Sequence, residues 1–364
     1  MMKKRDYRPK IHFSPEKGWM NDPNGMVYVD GEYHFFYQKY PYDTSWGPMH
    51  WGHATSRDLI HWEHQPIALY PDELGFIFSG SAVYDTQNSS EYGTNENPPI
   101  IAIYTSHHKD GLEQQSIAYS NDKGRHFEKS YLNPVIKNPG ISDFRDPKAF
   151  WNPVRRCWSL VLAAQDRVFF YASQNMKNWE KTGEFGPEGN HAKGVWECPD
   201  LFPIEYKGKN VWVLVVSMTK ASEDDHCKMQ YFLGDFDGEK FLCTYPSDEP
   251  RWLDEGFDSR YIPECERCSA DGMGYELAVC STDSDRRVLW PGNPGEKAVP
   301  DRSRWCADPR GCSGRTGKIS PQQLSDRESY NDPHRDLWIE GFRKRRCENL
   351  SEKLSGTEIE DLCN

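Results

Sequence analysis

The chain has 364 residues, a formal net charge of −12, 13% aromatic residues and a mean hydropathy of −0.85. That length can bury a large core, as one big β domain or as two ordinary domains. The acidic balance argues against a nucleic-acid partner, and without an apolar run near 18 residues a membrane span is not expected either.

Residues 1–10 are basic but have no apolar stretch behind them, which does not read as a secretory signal, so the expected location is cytoplasmic and the cysteines are expected free. The segment Trp19-Met20-Asn21-Asp22-Pro23-Asn24-Gly25 then places a carboxylate, two amides and an indole around an Asp-Pro turn. Proline pushes the preceding Asp22 into extended geometry, and Asn24-Gly25 is expected to reverse the chain, leaving Asp22 at a strand end. The plainer alternative is an Asx-type turn in which Asp22 and Asn24 only cap backbone groups. Val27–Tyr37 reads as a hairpin around Asp30-Gly31.

A pattern recurs after this hairpin. Ser56–Trp62, Ser120–Phe127 and Ser173–Trp179 each run from a small polar residue through an Asp or Asn turn to an aromatic, and Asp235–Phe241 is a weaker copy. Steps of 64, 53 and about 60 residues suit a four-stranded unit repeated around an axis, the β-propeller plan. The repeated aromatics are read as packing within each blade. Val161–Ala172 and Val211–Met218 read as strands, and nothing before residue 259 shows helical periodicity, so the fold class is all-β. Two further carboxylates sit in Pro-containing settings, Arg145-Asp146-Pro147 and Trp196-Glu197-Cys198-Pro199.

Trp19–Gly25, Phe78-Ser79-Gly80-Ser81, Phe144–Pro147 and Trp196–Pro199, in this order, resemble glycoside hydrolase family 32, the invertases, levanases and inulinases. Trp51–Leu59 and Gln230–Gly238 resemble it too, and the likeness runs from about Ile11 to about Asp258. It implies a five-bladed propeller, usually followed by a C-terminal β-sandwich. It also implies Asp22 as nucleophile, Glu197 as acid/base and Asp146 as a stabiliser of the transition state through fructose hydroxyls. Asn21, Gln38, Trp46, Phe78, Ser79 and Arg145 are carried over as binding groups. Neither a metal nor a cofactor is implied, and the expected partners are sucrose, inulin or levan.

Retaining hydrolysis needs an acid for the leaving oxygen and a nucleophile about 5–5.5 Å away from it. Trp196 and Cys198 beside Glu197 suggest an apolar setting that raises its pKa, and Arg145 can pair bidentately with a carboxylate. Trp46 and Trp51 are either sugar-facing walls or buried packing. His50, His53, His107 and His108 show no metal-ligand spacing. The region Ile100–Asn133, with Gln114–Ser120 in it, resembles fructanases more than sucrose-phosphate hydrolases. An inverting propeller hydrolase of arabinanase or xylosidase type, with carboxylates about 6.5–9.5 Å apart, remains an alternative. So does a truncated, catalytically impaired product.

From about Ser259 the composition changes. Lys outnumbers Arg 18 to 9 before that point and Arg outnumbers Lys 13 to 4 after it, while seven of the eleven cysteines follow it. Cys265 and Cys268 have a metal-type spacing without a second pair, so a zinc site is not expected there. One-base-shifted readings of Tyr261–Cys265 and Met273–Ser281 resemble family strands. The expectation is therefore a propeller unit over 1–258, with an incomplete last blade and no sandwich, followed by an out-of-frame or naturally divergent tail over 259–364 without a packed core.

Overall fold

Short apolar strands broken by tight polar turns fold here as four antiparallel meanders. The computed structural model describes residues 13–254 apart from 192, 207–208, 220–226 and 245–249. The first blade is β1 (Trp19–Val29), β2 (Glu32–Tyr40), β3 (His50–Ser56) and β4 (Trp62–Leu69). The second is β5 (Phe76–Tyr84), β6 (Ile100–His107), β7 (Glu113–Ser120) and β8 (Glu128–Lys129). The third is β9 (Phe144–Asn152), β10 (Cys157–Ala164), β11 (Arg167–Ser173) and β12 (Glu180–Phe185). The fourth is β13 (Trp196–Tyr206), β14 (Lys209–Met218), β15 (Lys228–Phe236) and β16 (Phe241–Cys243), with β17 (Trp252–Asp254) also paired to β15. No helix occurs among the described residues, and none is long and apolar enough to cross a membrane.

The blades stand side by side, with first strand against first strand: β1 on β5, β5 on β9 and β9 on β13. Burial follows the same order. Val27, Phe36, Trp51 and Leu69 of the first blade pack with Ile77, Ala102 and Tyr104 of the second. Ile101, Ile103 and Ile117 pack with Phe144, Leu160 and Leu162 of the third, and Val161, Val168 and Phe170 with Trp196, Leu214 and Phe232 of the fourth. Each fully buried large side chain is worth about 1.5–3 kcal/mol, so these interblade seams are the main stabilising element.

The recurring sequence pattern is the turn between the third and fourth strand of each blade. Asp58, Asp122, Asn175 and Asp237 accept backbone N–H groups two to four residues ahead, and Leu59, Lys123, Met176 and Gly238 take the left-handed conformation that this turn needs. The closing aromatics Trp62, Phe127, Trp179 and Phe241 pack onto the blade cores.

Two local expectations are corrected. Asn24-Gly25 does not reverse the chain, because β1 continues for 11 residues through it. One-residue bulges at Asn21–Asp22 and at Gly25–Met26 absorb the irregularity instead, the second around Gly25 at φ +53°. Val161–Ala172 is split between β10 and β11 by a turn at Gln165-Asp166, with Gln165 at φ +61°. Gln115, in the segment that suggested fructanase specificity, is fully buried. It donates to the Phe144 carbonyl and accepts from Thr105 Oγ1. The boundary at 258/259, the aberrant tail, the absent sandwich, the Cys265/Cys268 pair and the basic residues 1–10 lie outside the described residues.

Candidate active site

The first strand of every blade carries the same irregularity at the same place. Two residues of the inner strand stand against one of its neighbour within Met20–Pro23, Ile77–Gly80, Arg145–Lys148 and Glu197–Asp200. A bulge re-aims side chains and leaves an N–H out of the ladder, which is where proline is tolerated inside a sheet. Pro23, Pro147 and Pro199 occupy these sites. The four bulges therefore put Asp22, Ser79, Asp146 and Cys198 at one level, near the point where the inner strands meet.

Side-chain contacts tie them together across blades. Asp22 accepts a hydrogen bond from Ser79 Oγ at 2.6 Å and one from Asn21 Nδ2 at 3.1 Å, while Asn21 Oδ1 is held by Trp19 Nε1 at 2.8 Å. Asn24 is fully buried. It bonds the Asp22 carbonyl and accepts the Gly80 N–H at 3.1 Å, so the capping role and the presentation of Asp22 belong to one turn. Asp146 Oδ2 accepts the Cys198 N–H at 2.9 Å, and the Cys198 thiol lies 3.6 Å from Asp146 and 3.9 Å from Asp22. Both Asp146 and Cys198 have positive φ, 64° and 43°, an unfavourable backbone for residues with a Cβ. The Asp146 N–H donates to Thr105 Oγ1, which holds the residue in that conformation.

Glu197 lies on the neighbouring side, where Oε1 accepts Arg145 Nη2 at 2.8 Å. Nη1 of the same guanidinium contacts Asp143 at 2.5 Å and Glu113 at 3.3 Å. Arg145 thus serves three carboxylates, and none of them takes both of its terminal nitrogens in a bidentate fork. The apolar setting expected for Glu197 is also corrected. Trp196 points into the core between the third and fourth blades, as strand alternation requires, and Glu197 faces a cation instead. The displaced carboxyl is that of Asp146, which is 3% exposed. Burial raises its pKa to about 7, against the pull of Arg145 and with help from the charge of Asp22.

The binding residues separate into a wall and a support. Phe78 is half-buried and stacks on His107 at 4.1 Å, with Trp46, 53% exposed, edge-on at 6.2 Å. Trp51 is buried and bonds the Phe78 carbonyl, so of the two tryptophans only Trp46 has a ring open to solvent. Gln38 is buried and donates to the Ile77 carbonyl. Beside Arg145 a cleft of about 520 Å³ is lined by Asp143, Gln165, Asn190, Lys193 and Val195 among others. Among the described residues no group of three or more His, Cys, Asp or Glu is arranged to hold a metal ion.

Glu113, His107 and Thr105 were not legible as site residues, since each sits at or near a strand end with no motif around it, and Asp143 lay just outside the Phe144–Pro147 motif. Cys198 lay inside a motif but read only as an apolar neighbour. The signal that could have found Glu113 is its place in register opposite His107, which requires the pairing of β6 with β7.

The family profile described as "Glycosyl hydrolases family 32 N-terminal domain" matches residues 12–264. A levanase of Bacillus subtilis is 54% identical over 293 residues, covering 79% of this chain and 41% of the levanase. An extracellular exo-inulinase of Aspergillus niger is 39% identical over 287 residues, covering 69% of this chain and 53% of its own. The solved β-fructofuranosidase of Schwanniomyces occidentalis, complexed with fructosyl-erythritol, superposes with a TM-score of 0.65 at 38% identity, over 71% of this chain and 52% of that one. The chain spans about half the length of the relatives it matches.

Proposed function

The chain belongs to glycosyl hydrolase family 32, and on that premise we propose that it carries the catalytic site of a retaining β-fructosidase that releases fructose from sucrose or from β-fructans such as levan and inulin. The observation that carries this reading is the convergence of Asp22, Asp146 and Glu197, from three blades, through Ser79, Cys198 and Arg145.

Asp22 attacks the anomeric carbon of the fructosyl unit while Glu197 protonates the departing oxygen, giving a covalent fructosyl-enzyme. Glu197 then takes a proton from water, which attacks the same carbon and frees Asp22. Ser79 and Asn21 hydrogen-bond the Asp22 carboxylate and fix its direction. Asp146 binds sugar hydroxyls and stabilises the charge that develops on the ring. Phe78 and Trp46 supply the apolar wall. The test is NMR of the first-formed sugar from sucrose, levan and inulin. Retention is expected, with turnover lost in Asp22→Asn. An inverted first product would favour the arabinanase-type reading, and no release from any of the three would favour an impaired chain.

The architecture is read as a five-bladed propeller whose last blade is incomplete or aberrant. Both faces of the fourth blade are apolar: Leu214, Val216 and Phe232 face the third blade, while Val213, Val215 and Tyr231 alternate with them and are buried as well. A sheet buried on both faces needs a layer on each side. The propeller unit is taken to end near 258, with 259–364 out of frame. The family match ending at 264 supports this, whereas the levanase alignment, at 79% of the chain, runs past residue 258. Resequencing codons 255–265 decides between the two.

A further inference from the structure

Glu113 has no part in the reaction just described, yet it is one of the most heavily engaged buried acids in the protein. Its side chain is 5% exposed. It stands at the first position of β7, opposite the last residue of β6 and against the first residues of β9. Oε2 accepts the Phe144 N–H at 2.8 Å, which anchors the start of the strand that carries Arg145 and Asp146. Both oxygens contact Arg145 Nη1, at 3.3 and 3.4 Å, and Oε1 lies 3.2 Å from His107 Nδ1. His107 in turn stacks on Phe78. One carboxylate therefore touches both halves of the site, the cation on Glu197 and the ring behind the sugar wall.

The charges around Arg145 show why this matters. A general acid beside an arginine would give up its proton too readily, because the cation favours the carboxylate form. The guanidinium here is shared. Glu113 and Asp143 occupy Nη1, Glu197 occupies Nη2, and Asp146 adds negative charge once it ionises. His107, which can become a cation, faces Glu113 from the other side.

Resting on the glycosidase reading above, we propose that Glu113 is a positioning residue for the acid/base. It draws off the charge of Arg145 so that Glu197 keeps its proton for the leaving group, and it holds His107 beneath Phe78.

The test compares the full chain with Glu113→Gln and Glu113→Asp. In Glu113→Gln the alkaline limb of the kcat/KM profile on sucrose is expected to move down by roughly one pH unit, the size of removing one nearby charge from a partly buried site. At neutral pH, kcat should fall about tenfold on sucrose but less than about threefold on a β-fructoside whose leaving group needs no protonation. Glu113→Asp keeps the charge and should restore the limb. An unmoved limb in a folded Glu113→Gln, or equal losses on both substrates, overturns the proposal. Should Glu113→Gln not fold, Asp143→Asn carries the test, because withdrawing either counter-charge from Nη1 must move the limb the same way, and an unmoved limb overturns it. Titration of [13C]carboxyl-labelled Glu197, assigned by its loss in Glu197→Gln, reads the same displacement without turnover. A chain that cleaves no fructoside refutes the glycosidase reading, and only a still carboxyl titration then refutes the role of Glu113.

Discussion

Replacing Asp146 by Asn should stabilise the protein at alkaline pH while removing its activity. The carboxyl sits at about 7 instead of its ordinary 3.8, because burial disfavours the charged form more than Arg145 and the Cys198 N–H favour it. The sign follows from linkage. A carboxyl with a raised folded-state pKa binds its proton more tightly in the native state, so its contribution is full below about pH 3.8 and is lost as pH rises toward 7. The displacement corresponds to a cost of roughly 4 kcal/mol above neutrality, as an upper bound, and to well under 1 kcal/mol near pH 4. Asn has the shape of the protonated acid, can accept the Cys198 N–H, and tolerates the left-handed backbone that this position adopts. The measurement is urea unfolding of wild type and Asp146→Asn at pH 4.5 and pH 8. The variant should be more stable at pH 8 by a few kcal/mol and by only about 1 kcal/mol at pH 4.5, with kcat reduced by about 10³ or more. An advantage that is absent at pH 8, or the same at both pH values, refutes the reasoning. Its presence identifies this site as one where function is kept at the expense of stability.

Lys148 and Asp200 form a buried pair between β9 and β13 at 3.6 Å, so Asp200→Ala, which breaks a buried ion pair, should cost about 3–5 kcal/mol, read by the same urea titration. His34 and His53 contact each other at 3.0 Å in the buried part of the first blade, and burial holds His34 at about 4 and His53 well below its usual value. Stability should therefore fall as pH drops below about 6.5, by roughly 3 kcal/mol from His34 alone before pH 4 is reached; His34→Gln should flatten that slope in melts between pH 4 and 7. Gly80→Ala should prevent proper folding, since a Cβ there would meet the Ile103 carbonyl oxygen of β6 without room for either backbone to move, and loss of soluble protein or of cooperative melting would register it.

How much of this was written in the sequence differs from element to element. The Ser56–Trp62, Ser120–Phe127 and Ser173–Trp179 repeats disclosed the blade plan, because a tight turn between twisted strands admits few residue types and so leaves a local signature. Asp22, Asp146 and Glu197 were legible for the same reason: each lies in a Pro-containing bulge whose chemistry is confined to four or five neighbouring residues. Long-range facts left no such trace. Nothing around Glu113 or His107 predicts that β6, β7 and β9 end at one rim, and nothing around Trp196 predicts that its ring turns away from Glu197. Local sequence restricts φ, ψ and turn type. Which carboxylate stands beside Arg145, and which is buried deeply enough to hold its proton near neutrality, depends on how the blades pack, and charge and burial at that distance are properties of the tertiary structure alone.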